Sequence, residues 1–294
     1  MLSQILLISL PLFVSSCTNL LVTKSITTDN TNMIAYNADA SNFYTTIYHY
    51  PKSSNNKNLT RQIYSWDYAT YMGEIPELEN TYNVVGNVNE YGVIIGESTF
   101  GGLMELTGSA RTGIMDYGSL IYVTLQRSRT ASEAIDVMTA LVADYGYGSE
   151  GESFSIADPT DVWVLEMISK GHHEKGAVWV ARRIPDGSVT GHANQARITT
   201  FPLNDPDNVR YSPDVISFAK GIGLYPEDGS DADFSYSDIY DPVTFSGARF
   251  CEARVWSFFS TVMGEEWSDQ YLNYAQGTNL TNRMPLWVTP SDKL

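Results

Sequence analysis

The stretch "CTNLLVTKSITTDNTNMIAYNAD", residues 17–39, decides how this chain starts to fold. Its outer parts, "TNLLVTKS" and "NMIAYNAD", have the composition of strands, and the polar segment "ITTDNT" between them favours a turn. The pattern predicts a β-hairpin that begins directly after Cys17. Because the chain has only two cysteines, the position of this one at the very start of a strand calls for an explanation.

The residues before Cys17 have the pattern of a signal peptide. The apolar part, residues 5–14, is too short to span a bilayer. Val14 and Ser16 then stand three residues and one residue before Cys17, as small residues do at a cleavage site, although a positively charged start is missing. We therefore expect residues 1–16 to be removed and the protein to be secreted or lumenal. In a bacterium, "VSSC" would also allow a lipoprotein with its lipid on the cysteine.

Composition and charge limit the classes of function. Of the 294 residues, 43% are hydrophobic and 18% are charged, which is enough apolar material for a folded core. The formal net charge of -16 repels phosphate backbones, so nucleic acid is not expected as a partner. Two cysteines cannot make a disulfide-stapled scaffold. After the leader, no stretch has the length and apolar character of a transmembrane segment.

Further along the chain, strand patterns and helix patterns alternate. The helix expected at 130–146 begins with a capping box, Thr130 to Glu133, and ends at Gly146. The order of elements predicts an α+β fold in one domain over residues 17–294, with β-sheets sandwiched by helices. Strands are expected at 44–50, 82–88, 92–100, 153–158, 162–169, 177–185 and 189–198, and helices at 116–128, 130–146 and 246–264.

Cleavage before Cys17 would create a free N-terminal cysteine, which is a nucleophile that carries its own base. An α-amino group has a pKa of about 7.7–8.0, so near neutral pH it can accept the thiol proton. The thiolate could then attack a carbonyl carbon. The alternative is a cysteine that happens to lie near a cleavage site, and the local sequence leaves both interpretations open.

Five segments together resemble the dipeptidase branch of the N-terminal-nucleophile hydrolases, which includes bacterial dipeptidase A and the secernins. They are "CTNLLVTKSITTDNTNMIAYNADAS", "GNVNEYGVIIGEST", "DYGSLIYVTLQRSRTASEAI", "GAVWVARRIPDGSVTGHANQARI" and "SGARFCEARVW". The resemblance implies an αββα sandwich with the nucleophile at the start of a central strand. It also implies a cysteine-type dipeptidase that cleaves dipeptide amide bonds through a thioester. Family members continue beyond the equivalent of Leu294, so a C-terminally truncated chain is expected.

The resemblance also implies roles for residues around the nucleophile. Cys17 matches the nucleophile, and Asp39 matches the acidic residue that orients the cysteine or its amine. Without the family, a turn aspartate would be the simpler interpretation of Asp39. Relatives usually carry an arginine where this chain has Tyr36, which leaves open how the thiolate is stabilised.

Further site residues follow from the same resemblance. Asn194 matches a donor of the oxyanion hole, and Arg249 matches a helix-borne catalytic arginine near the nucleophile. By themselves the two would be a loop asparagine and a surface arginine. Glu97 and Ser98 close a strand where acylase relatives place a second oxyanion asparagine, and they are predicted to contact substrate.

No cofactor or metal is expected. The adjacent pair His172 and His173 and the separate His192 stand without a carboxylate or cysteine at ligand spacing. A small peptide is the expected substrate, and the oligomeric state is left open. Two alternatives remain: an amidase or acylase acting on N-acyl substrates, and a truncated, non-catalytic remnant that acts as a binding module.

Overall fold

The computed structural model describes residues 17–39 and 46–294. The predicted signal peptide, residues 1–16, and the first part of the strand expected at 44–50 lie outside the described residues. The strands are β1 (Thr18–Val22), β2 (Met33–Asn37), β3 (His49–Tyr50), β4 (Thr60–Tyr64), β5 (Tyr71–Pro76), β6 (Val84–Val85), β7 (Val88–Asn89), β8 (Ile94–Gly101), β9 (Gly151–Ala157), β10 (Val162–Ser169), β11 (Ala177–Arg183), β12 (Val189–His192), β13 (Val209–Tyr211) and β14 (Trp287–Val288).

The first α-helix begins at Tyr117, after the eighth strand. The α-helices are α1 (Tyr117–Leu125), α2 (Ala131–Tyr145), α3 (Val215–Gly221), α4 (Tyr236–Tyr240), α5 (Ala253–Met263) and α6 (Glu265–Ala275), and a π-helix, Gly247–Glu252, precedes α5. In the part of the chain that the structure describes, no helix has both the length and the apolar character needed to cross a bilayer.

The smaller sheet contains the hairpin predicted from residues 17–39, which is confirmed. Its strand order within the described residues is β14-β12-β1-β2. β1 pairs antiparallel with both neighbours, so that Thr18 lies opposite Asn37 and Asn19 lies opposite His192. Because β1 is central, the residue just before it is held between the ends of two partner strands.

The larger sheet has the order β13-β11-β10-β9-β8-β7-β6-β3 among the described residues. The predicted strands at 153–158, 162–169 and 177–185 are confirmed as β9, β10 and β11. The β9–β10 turn is fixed by Asp158, whose Oδ1 accepts hydrogen bonds from the backbone N–H groups of Thr160 and Asp161. The strand expected at 82–88 is instead two short strands, β6 and β7, folded about Gly86, whose φ of 56° suits glycine.

Helices cover the outer faces of the two sheets, which confirms the α+β sandwich. Leu120 of α1 and Ile135 of α2 pack on Phe154 of β9 in one buried cluster. Phe259 of α5 packs with Val189 of β12 in another. Between the sheets, apolar residues of β1, β10 and β11 form a third cluster. The layers therefore run helix, large sheet, small sheet, helix.

The helix expected at 246–264 is two segments. A π-helix spans Gly247–Glu252, α5 follows, and Gly264 ends α5 at a φ of 86°. The predicted cap of α2 is confirmed on one side only. Thr130 accepts from the backbone N–H of Glu133, but the Glu133 carboxylate reaches back to the N–H of Arg129 rather than to that of Thr130.

Candidate active site

Cys17 lies in the wall of a cavity of about 600 Å³. Only 5% of its surface is exposed. The other walls come from the ends of β8 and β9, the start of α1 and the loop of the β4–β5 hairpin. The cysteine is placed there because β1 begins at the next residue and is hydrogen-bonded on both sides.

Arg254, at the start of α5, holds the two strand ends around Cys17. Its Nη1 donates to the carbonyl oxygen of Cys17 and to Thr18 Oγ1, both at 2.7 Å. Its Nη2 donates to the carbonyl oxygen of Ala193 at 2.8 Å and to Asn194 Oδ1 at 2.9 Å. A guanidinium group presents several donors in a fixed plane, so one side chain can fix both β1 and the segment after β12.

The predicted position of Arg249 beside the nucleophile is wrong. Arg249 is exposed on the π-helix. No hydrogen bond or ion pair joins it to another residue within 17–39 and 46–294. Arg254 faces the nucleophile, and it lies in the same quoted segment, "SGARFCEARVW".

Asn194 is joined to Cys17 through Arg254, which bonds to both residues, and is held in a left-handed backbone conformation at φ 61°. Its Nδ2 donates to the carbonyl oxygen of Thr99 at 2.6 Å, while its Oδ1 accepts from Arg254. Asparagine tolerates this conformation better than most residues. The side chain is thereby fixed at the junction of the two sheets, with its amide nitrogen directed towards β8.

Asp39 lies two residues beyond β2, and its side chain is exposed. Its backbone N–H hydrogen-bonds to the Cys17 sulfur and favours the thiolate. The predicted contact between residue 39 and the cysteine is therefore present, but the backbone makes it. A carboxylate at this position acts on Cys17 only through its charge, and that charge favours the protonated thiol.

Burial raises the pKa of the Cys17 thiol to about 11, and the nearby charge of Glu97 acts in the same direction. The Asp39 N–H and the positive charge of Arg254 oppose this shift without cancelling it. At neutral pH the thiol is thus almost entirely protonated, and its chemistry requires a base. A histidine cannot be that base here, because none lines the cavity in the parts of the chain described.

His192 has a structural role between the sheets. It is fully buried, and its two ring nitrogens are bonded to Ser98 Oγ at 2.6 Å and Ser155 Oγ at 2.7 Å. Burial lowers the pKa of His192 to about 3, so the ring is neutral.

The Ser98 hydroxyl is used in this contact and is not free for substrate. Ser98 is fully buried and absent from the cavity wall, and its hydroxyl also accepts from the backbone N–H of Asn194 at 3.3 Å. The prediction that Ser98 contacts substrate is wrong because its side chain is on the opposite face of β8 from the cavity.

Glu97 does line the cavity, together with Glu152 of β9. Both carboxyl groups are buried, with 2% and 0% of the residue exposed. They are hydrogen-bonded to each other, and Tyr36 donates its hydroxyl to Glu97 Oε1. Burial raises the pKa of both carboxyl groups, and for Glu152 the adjacent charge of Glu97 adds to the effect. Two such groups share a proton more readily than they ionise together.

Sequence reasoning missed Arg254, Glu152 and the contact of Tyr36. Glu152 could have been noticed in the sequence, because it is a carboxylate within an otherwise apolar or small-residue strand, and all residues of that strand are buried. Tyr36 reaches Glu97, because its hydroxyl donates a hydrogen bond to Glu97 Oε1. In the described parts of the chain, no group of three or more His, Cys, Asp and Glu side chains is arranged to hold a metal ion.

Comparison with known proteins fits this geometry. The family model for peptidase family C69 matches residues 16–294. A probable dipeptidase of Latilactobacillus sakei is 26% identical over 261 residues, which cover 82% of this chain and 52% of that protein. A probable dipeptidase of Salmonella dublin is 27% identical over 259 residues, covering 83% and 57%. Dipeptidase A of Lactobacillus helveticus is 29% identical over 154 residues, covering 51% and 30%.

The chain thus spans about half the length of the first two of these relatives. The family model nevertheless matches this chain from residue 16 to residue 294, and the match begins one residue before Cys17 in the cavity wall. The chain therefore belongs to peptidase family C69.

Proposed function

We propose that this chain is a dipeptidase that uses Cys17 as its nucleophile. One observation carries the proposal: in a chain of peptidase family C69, a cysteine stands at the start of the central strand β1 and faces a cavity of about 600 Å³. A cavity of that volume suits a small molecule such as a dipeptide. The names of the relatives, probable dipeptidase and dipeptidase A, support the same substrate class.

Removal of residues 1–16 during export is part of the proposal, because it would supply the missing base. The new α-amino group on Cys17 accepts the thiol proton, directly or through a water molecule. The sulfur then attacks the scissile carbonyl carbon, and the resulting α-ammonium returns the proton to the leaving amine as the C–N bond breaks. Water, deprotonated by the same amine, hydrolyses the thioester and regenerates the thiol.

Asn194 is proposed to stabilise the oxyanion. One of its amide protons is directed to the Thr99 carbonyl, and the second is available for the negative oxygen that forms above Cys17. Arg254 holds both Cys17 and Asn194, so it fixes the distance between nucleophile and donor. A donor of this kind contributes roughly 3–4 kcal/mol to transition-state stabilisation.

Intact-mass measurement and N-terminal sequencing of the exported protein test the proposal first. We expect a chain that starts at Cys17, gains one iodoacetamide adduct there and hydrolyses dipeptides. Cys17→Ala should lower turnover by at least about 1,000-fold with the fold retained. Cys251→Ala is the control for the labelling, since Cys251 is also buried but lies outside the cavity wall, and it should keep the single adduct on Cys17. A lipid on Cys17, or full activity of Cys17→Ala, would overturn the proposal.

A further inference from the structure

We infer that the carboxyl group of Glu97, backed by Glu152, binds the α-ammonium group of the substrate and thereby selects peptides with a free N-terminus. The inference rests on the proposed function, because it takes Cys17 as the group that attacks the first residue's carbonyl. It assigns the chemical feature by which the site would recognise its substrate: a primary ammonium next to the scissile bond.

The two carboxyl groups have incomplete partners. Glu97 Oε2 and Glu152 Oε1 are buried and, apart from the proton that the two groups share, have no donor among the described residues. Their other oxygens are used, since Glu97 Oε1 accepts from Tyr36 and Glu152 Oε2 accepts from Thr99 Oγ1 at 3.1 Å. Buried carboxyl oxygens without donors are costly. A pair of them in a cavity wall is a site prepared for a donor that arrives with the ligand.

The surroundings specify the charge of that ligand. The cavity wall also includes Asp67, Asp116 and Glu150, and no lysine or arginine lines it within residues 17–39 and 46–294. Low-dielectric walls with one sign of charge concentrate ligands of the opposite sign. The acidic groups are not arranged to hold a metal ion in the described residues. A cationic organic group is therefore the ligand that the wall favours.

The position fits an α-ammonium. In a peptide the α-nitrogen is two bonds from the carbonyl carbon of its own residue, at a distance of about 2.5 Å. A group that binds this nitrogen must therefore lie close to the nucleophile that attacks the carbon. Glu97 meets this condition, because it shares the cavity with Cys17 and its charge acts directly on the thiol. Glu152 is deeper, with no exposed surface, and is a positioning residue that shares a proton with Glu97.

The Glu97–Glu152 pair would also make the site prefer dipeptides to the N-acyl substrates of an acylase. An N-acyl substrate has a neutral amide or no nitrogen where the ammonium would lie. It would leave the Glu97–Glu152 pair buried with no donor beyond the proton that the two groups share, and sites built for a hydrogen-bonding group discriminate strongly against analogues that lack it.

The test compares alanyl-alanine with propionyl-alanine, which lacks only the α-amino group. For the leader-free protein we expect kcat/KM to be at least about 100-fold higher for alanyl-alanine. Glu97→Gln should abolish most of this ratio, because any change in the Cys17 thiol affects both substrates alike whereas the lost ammonium contact affects only alanyl-alanine. Glu152→Gln should raise KM for alanyl-alanine more than it lowers kcat. The exposed Glu105, outside the cavity wall, supplies the control Glu105→Gln, which should keep the ratio.

A second measurement needs no variant. Alaninamide should protect Cys17 of the wild-type protein from iodoacetamide at concentrations at least about tenfold lower than propionamide does. Equal protection by the two amides, or an unchanged substrate ratio in folded Glu97→Gln, would overturn the inference while Cys17-dependent turnover stood. Turnover that survives Cys17→Ala would instead overturn the proposed function.

Discussion

Two groups of buried carboxylates lie on β9, β10 and neighbouring elements, and they differ in whether a buried cation lies beside them. In the first, Glu166 accepts from the backbone N–H groups of Arg197 at 2.6 Å and Ile198 at 3.0 Å. Glu252 forms an ion pair with Arg197 at 3.0 Å, and each of those side chains is only 2% exposed. The guanidinium of Arg197 also donates to backbone carbonyl oxygens, including that of Gly191.

In the second group, Glu97 and Glu152 are hydrogen-bonded to each other, and no lysine or arginine lies beside them in the described cavity wall. The first group lies inside the packed layers, whereas the second borders the cavity that contains Cys17. Burial alone therefore does not distinguish structural from functional charges. A buried cation beside the carboxylates indicates a structural role, whereas its absence at a cavity indicates a site for a ligand.

The largest expected effect concerns the structural group. Arg197→Met should lower the free energy of unfolding by about 3–5 kcal/mol, because Glu252 would stay buried without its cation. Chemical denaturation measures this. Arg183→Met is the control: its partner Asp161 is half-buried and 42% of the Arg183 side chain is exposed, so the expected loss is about 0–1 kcal/mol. Equal losses in the two variants would show that the buried ion pair of Arg197 and Glu252 does not stabilise the fold more than an exposed pair does.

Arg254→Met should affect catalysis more than the fold. We expect kcat/KM for a dipeptide to fall by about 100-fold or more, since Cys17 and Asn194 would lose the group that aligns them. Arg249→Met should leave kcat/KM unchanged, because that side chain is exposed away from the cavity. The reverse result would restore Arg249 as the catalytic arginine.

A pH-dependent effect is expected at His192, which joins the two sheets. Its pKa is about 3 in the folded protein against about 6.5 in the unfolded chain. The unfolded state therefore binds the proton first, so this contribution to stability is present above pH 6.5 and is lost as the pH falls towards 3. Between pH 6.5 and pH 3, each unit by which the pH falls should weaken folding of the wild type, relative to His192→Gln, by roughly tenfold in the unfolding equilibrium constant. A difference that is constant between pH 7 and pH 5 would contradict a neutral, bridging ring.

The smallest effect has the opposite sign. Burial raises the pKa of Glu152, and an acid whose pKa is raised on folding destabilises the protein above its unfolded pKa. Glu152→Gln should therefore increase the free energy of unfolding at pH 7 by about 1 kcal/mol, and the gain should vanish near pH 4. Thermal unfolding at the two pH values measures it, with Glu105→Gln as the neutral control. A clear loss of stability at pH 7 would place Glu152 with the structural group.

Much of the fold was predictable because its elements are local. The β1–β2 hairpin, the helices at 116–128 and 130–146 and the strands from 153 to 185 follow from apolar periodicity and turn residues. Two features were not predictable. The helix α6 was not predicted, and only its last two residues, Tyr274 and Ala275, are buried. The division of 246–264 into a π-helix and α5 depends on packing rather than on composition.

The sequence by itself indicated the family and the strand that follows Cys17, because a strand and its pairing register are set by pattern and turns, while residues 39 and 194 were assigned to the site by the family resemblance. Only the tertiary structure decided which arginine reaches the cysteine, that Ser98 bonds to His192 instead of lining the cavity, and that Glu97 meets Glu152 and Tyr36. The physical reason is that these contacts join residues far apart in the chain. Their energies depend on burial and on missing partners, which no local pattern contains.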